Sequence, residues 1–137
     1  MRFIGLFREL IRPENPGLPS IHSSRNGLGE DMVFPVLEYL SKGTGVIDFM
    51  EATRDPFDRA KYISGGPSLF SDGEWIWRHD LEHYVRFYRI GLPEEFLARV
   101  RRVPTAPVRK MNVDQLVDEV LEIYRAVERG DLRALLH

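Results

Sequence analysis

Cysteine is absent from the chain, which excludes a disulfide framework, a thiolate zinc site and a cysteine nucleophile together. No run of 18 or more apolar residues occurs, so nothing in the sequence suits a membrane-spanning helix. The opening MRFIGLFRELIRP is interrupted by Arg8 and Glu9 and precedes no small-residue cleavage pattern, so it does not read as a signal peptide. A cytoplasmic location is therefore expected. An excess of positive charge is also missing: the formal net charge is −2, and general phosphate-backbone binding needs the opposite balance. Neither Gly43-Thr44-Gly45 nor Gly65-Gly66-Pro67 fits a phosphate-loop or dinucleotide fingerprint, and Ser20, Ser23 and Ser24 near His22 lack a nucleophile-elbow context. No cofactor is expected. Internal repeats and low-complexity stretches are likewise absent.

What is present suits one folded domain. At 137 residues, with 43% hydrophobic side chains and 8 Phe, 5 Tyr and 2 Trp, the chain carries enough apolar surface for a real core. Phe3, Ile4, Phe7, Leu10 and Ile11 recur at helical spacing before a Pro-rich arm and a polar loop that together fill residues 1–29. A helix over about 32–42 follows, closed by Gly43. The β-branched and aromatic run from Gly43 to Ala52 predicts a strand, and Lys61–Ser64 a second short one. Asp72-Gly73 supplies the dihedrals of a tight turn, so SLFSDGEWIWR predicts a hairpin with Trp75 and Trp77 on one face and Ile76 on the other. Leu81, Tyr84, Val85 and Tyr88 then form a helical stripe ended by Gly91. Leu92-Pro93-Glu94-Glu95 opens another helix, and Asn112 caps a last long one that Gly130 stops. The result is an α+β domain, with a small antiparallel sheet of three or four short strands packed by four or five helices over residues 30–137. The tryptophans are expected to pack against Tyr84 and Tyr88.

Three sets of residues could carry function. His79-Asp80-Leu81-Glu82-His83 matches the H-x-x-E-H pattern of inverted zinc peptidases, in which two imidazoles one turn apart hold zinc and a carboxylate activates water. Glu119 or Glu122 would have to complete that zinc hydrolase. On a helix, however, His79 and His83 lie opposite the apolar stripe, and Arg86 adds a positive charge. They are expected to be solvent-exposed, with no metal bound. The basic run Arg99, Arg101, Arg102, Arg109 and Lys110 could bind phosphate or nucleic acid, although it also complements a helix C-terminus. Finally, Phe49, Arg54, Asp55, Phe57 and Asp58 place aromatic and charged groups in a short span, as a protein-binding surface would.

From Gly65 to Phe96, and over residues of about 36–103 in all, the chain resembles a group of small, largely uncharacterised bacterial proteins. The residues that carry the likeness are Tyr39-Leu40-Ser41-Lys42, Gly43-Thr44, Asp72-Gly73 with Trp77, Leu81 with Tyr84, Val85 and Tyr88, and Leu92-Pro93 with Phe96. Each serves a turn, a cap or the core, so the resemblance implies a fold more than an activity. Some members of that group look like immunity proteins, which neutralise a partner toxin. The resemblance thus implies a non-enzymatic protein binder with an unidentified protein partner.

Overall fold

The computed structural model describes residues 1–12, 14–102, 112–131 and 133. Among these, six strands and four α-helices run in the order β1 (Arg2–Phe3), α1 (Glu30–Ser41), β2 (Thr44–Ile47), β3 (Ala52–Arg54), β4 (Tyr62–Ser64), β5 (Leu69–Ser71), β6 (Trp75–Arg78), α2 (Leu81–Tyr88), α3 (Glu94–Arg102) and α4 (Val113–Glu128). Short 3-10 turns occupy Arg8–Leu10 and Ile21–Ser24. The α+β class follows as expected.

The hairpin of β5 and β6 forms at Asp72-Gly73, where Gly73 takes φ 95°. The Asp72 carboxylate accepts the N–H groups of Glu74 and Trp75, each at 2.8 Å, and also the Tyr39 hydroxyl. That side chain closes the turn and ties it to α1. In the four-stranded sheet the order is β1-β6-β5-β2, while β3 and β4 form a separate antiparallel ribbon. The expected all-antiparallel sheet is in fact mixed, because β1 pairs parallel with β6 through Arg2↔Trp75 and Phe3↔Ile76. The opening segment is therefore a strand and a 3-10 turn in place of the predicted helix, with Gly5 at φ 65° between them. The single strand predicted from Gly43 to Ala52 is likewise two, β2 and β3, in different sheets.

All four residues of β6 are buried, because helices cover both faces of the sheet. Trp75 and Trp77 pack with Val36, Tyr39, Leu81, Val85, Phe96 and Val100, the contributions of α1, α2 and α3. On the other face, Ile76 joins Phe3, Leu69, Leu116 and Val120, so α4 covers that side. The expected packing of the tryptophans on Tyr84 and Tyr88 does not occur. Their aromatic neighbours are Tyr39 and Phe96, whereas Tyr84 belongs with Phe7, Leu10, Ile21 and Ile90 in a third cluster, to whose edge Tyr88 packs. The buried pair Arg78–Asp80 joins this cluster to the sheet. Arg78 donates to both Asp80 oxygens, to the Leu10 carbonyl at 2.6 Å and to Thr53 Oγ1 at 3.0 Å, which links β6 to the N-terminal arm and the ribbon.

Two glycines act differently from expectation. Gly43 does not close α1 by a left-handed turn; it leaves room for Trp77, whose Cζ2 would lie 2.3 Å from a Cβ there. Nor does Gly91 end α2. Arg89 does so, in the left-handed region at φ 47° and ψ 53°, while Gly91 lets its backbone approach Gly27.

Candidate functional site

The ribbon, the loop after β3 and the outer face of α2 meet at Asp55, which is fully buried. Its Oδ1 accepts the N–H groups of Phe57 at 2.7 Å and Asp58 at 3.2 Å, shaping the loop. Its Oδ2 accepts the Tyr88 hydroxyl at 2.6 Å and the His83 Nε2 proton at 2.8 Å. Burial alone would raise the carboxyl pKa, but the bonds from Tyr88, His83 and the two backbone groups outweigh it and hold the pKa below its ordinary value. An ionised carboxylate can only accept, so Nε2 of His83 carries the hydrogen. Desolvation and the bond to Asp55 push the Tyr88 phenol up to about 12.

Around this knot runs a series of aromatic rings with cations on their outer side. Arg25 lies over Phe57 at 5.2 Å and Tyr88 at 5.4 Å, and those two rings are 4.3 Å apart. His83 connects Tyr88 to Phe87, and Lys61 sits 5.2 Å from the Phe87 ring. Next to Lys61, Tyr62 lies under Arg54, which also hydrogen-bonds its hydroxyl. Tyr62 and Phe87 remain 57% and 56% exposed. Beside the ribbon, the N-terminal arm and the 54–59 loop border a cleft of about 260 Å³, lined by Arg8, Arg12, Arg54 and Arg59 among others.

The sequence-predicted residues fall in several places. Of the proposed binding set, Arg54 is exposed, Phe57 and Asp58 are half-buried beside the knot, and Asp55 presents no charge to solvent. Phe49 lies elsewhere, 5.8 Å from Tyr124 on the α4 side. The histidines are not a pair on one helix. His79 precedes α2 and is exposed with its ring near Phe70, but His83, expected to be exposed, is only 18% so and is bound to Asp55. Among the described residues no group of three or more His, Asp or Glu side chains could hold a metal ion. Glu119 and Glu122 sit on α4, which packs against β2. In the basic run, Arg99 faces Glu74 at 3.7 Å and Arg101 bonds Glu94 at 2.6 Å, while Arg102 is exposed at the end of α3. Arg109 and Lys110 lie outside the described residues.

Sequence reasoning missed Arg25, Lys61, Tyr62 and Phe87. Only Phe87 had a signal: it falls off the Leu81, Tyr84, Val85, Tyr88 stripe, where an aromatic residue has no core to enter. No protein-family model, curated protein or solved structure matches the chain.

Proposed function

We propose that the chain is a non-enzymatic protein-binding domain that acts in the cytoplasm and docks an acidic partner surface on Tyr62 and Phe87. The observation that carries this reading is the run of aromatic rings with Arg25, Arg54 and Lys61 lying over them. Interface centres favour Tyr, Phe and Arg, whose large rigid groups bury much area for little lost side-chain freedom. The scaffold under them is fixed by the Asp55 knot, so docking requires little rearrangement. Cations around the rings favour carboxylates on the partner and steer its approach. The Asp55–His83 pair, which in an acyl-transfer enzyme would orient a base, here fastens a loop to a helix; among the described residues no hydroxyl nucleophile hydrogen-bonds His83. The resemblance to immunity-like proteins gives the reading its specific form, in which the partner is a toxin that the chain neutralises.

The test is to isolate the full chain from its source cells with its stoichiometric companion, and then to measure that companion's affinity for wild type and for Tyr62→Ala/Phe87→Ala. Two truncated anchors, each contributing about 2 kcal/mol, should weaken binding by about 1000-fold while the melting temperature changes little. Co-expression should show wild type suppressing the companion's toxicity and the variant failing to. A chain that emerges without a companion, or a variant that binds as well as wild type, refutes the proposal.

A further inference from the structure

The cleft between the N-terminal arm and the 54–59 loop adjoins the docking face, sharing Arg54 with it and bordering the Asp55 knot beneath it, but its chemistry is different. Four arginines line it from two distant stretches of chain: Arg8 and Arg12 from the N-terminal arm, Arg54 and Arg59 from the ribbon and its loop. Bringing like charges together opposes folding unless something of opposite sign answers them. Among the described residues none of the four arginines forms an ion pair.

The three acids that line the same cleft explain why. Glu9 is turned onto the start of the neighbouring 3-10 turn, accepting Ile21 N–H at 2.6 Å and Ser20 Oγ–H at 3.0 Å. Asp55 already accepts four donors. Glu14 is exposed and leaves the guanidiniums in excess. Two of the arginines are also held in place. Arg8 donates its Nε–H to the Leu18 carbonyl at 2.9 Å, which leaves its terminal nitrogens for another acceptor, and Arg54 is braced by Tyr62. Several forked donors drawn to one cleft from separate parts of the chain match an acceptor with several oxygens and more than one negative charge. Its volume of about 260 Å³ lies below the ~300–1,000 Å³ of pockets for drug-sized ligands, so the occupant is small.

We infer that this cleft binds a phosphoryl oxyanion, either free phosphate or a small phosphomonoester. The inference does not require the protein-docking reading, although the two sites share Arg54. Arg12 and Arg59 are exposed and bond nothing else among the described residues, so they can be changed with little effect on the fold.

The experiment is calorimetric titration of the full chain with inorganic phosphate, glycerol phosphate and acetate at one ionic strength, using wild type and Arg12→Gln/Arg59→Gln. Wild type should bind one phosphate or glycerol phosphate saturably, and acetate about tenfold more weakly or worse. The double variant should lose about tenfold or more of that affinity at an unchanged melting temperature. Tighter binding of glycerol phosphate identifies a monoester site, and tighter binding of inorganic phosphate a site for the free anion. If the variant proves unstable, wild-type preference for phosphate over acetate decides the matter. Phe87→Ala, which removes a docking anchor that touches none of the four arginines, should bind phosphate as wild type does, which separates this site from the docking face. Absence of saturation at tens of millimolar, equal binding of acetate, or full affinity in a stable Arg12→Gln/Arg59→Gln protein overturns the inference.

Discussion

Two backbone N–H groups, a phenol and an imidazole converge on the Asp55 carboxylate, and all four lose an ionised acceptor if it becomes an amide. Asp55→Asn keeps the shape but puts an NH2 group where two donors already point. We expect it to lower stability by about 1–3 kcal/mol at pH 7, the usual consequence of unpaired buried polar groups. The pH dependence has a definite sign. Because the folded pKa is depressed, the carboxylate's contribution is complete above the unfolded value near 3.9 and is lost as pH falls through the folded value. Denaturant titrations of both proteins between pH 7 and pH 2 should show the gap narrowing only below about pH 4. A gap that stays constant into the acid range contradicts this account. None of it was legible in the sequence, where Asp55 reads as a surface acid before Pro56. Its side-chain donors stand 28 and 33 residues further along, on a helix whose position no local pattern records.

Elements whose ends are fixed by local chemistry were legible; those fixed by distant strands were not. The β5–β6 hairpin is specified by Asp72-Gly73, and α4 by Asn112, whose side chain accepts the Asp114 N–H, and by Gly130 at φ 90°. The end of α2 is different, since sequence favours Gly91 as its stop and the chain turns at Arg89 instead. There the backbone is left-handed, its N–H bonds the Val85 carbonyl, and its own carbonyl accepts Leu28 N–H. Gly91 is needed two residues later for the approach to Gly27, so the glycine and the left-handed turn are separated. A left-handed non-glycine residue is strained by about 1 kcal/mol. The Arg89–Glu30 pair, at 3.6 Å with Glu30 exposed and Arg89 half-buried, offsets little of that. Arg89→Gly should therefore raise stability by roughly 0.5–1 kcal/mol, moving the urea midpoint upward at constant slope. A lower midpoint would mean that the arginine side chain outweighs the backbone strain.

Across the whole molecule, the sheet divides the core and the first strand joins its parts. Phe3 enters the layer under α4, Ile4 enters the layer under α1 to α3, and Phe7 enters the third cluster. This is why helical spacing misread the segment: its apolar residues serve three cores in succession instead of one face. Parallel pairing with β6 spans about half the chain and has no turn to announce it, so the class of the fold and part of the candidate site, Arg54 and Phe57, could be read locally while the sheet order could not. The same arrangement makes the segment indispensable. Phe3, Ile4, Leu6 and Phe7 are all buried, and at about 1.5–3 kcal/mol each they represent roughly 6–12 kcal/mol, comparable to the 5–15 kcal/mol net stability of an ordinary domain. A chain lacking residues 1–7 should show no cooperative urea transition and no ordered near-ultraviolet signal from Trp75 and Trp77. In the intact protein the Ile4 amide, bonded to the Ile76 carbonyl at 2.9 Å, should exchange with solvent only through global unfolding. If the shortened chain unfolds cooperatively at near-native midpoint, or the Ile4 amide exchanges as fast as a frayed terminus, β1 is an accessory strand and the three cores hold together without it.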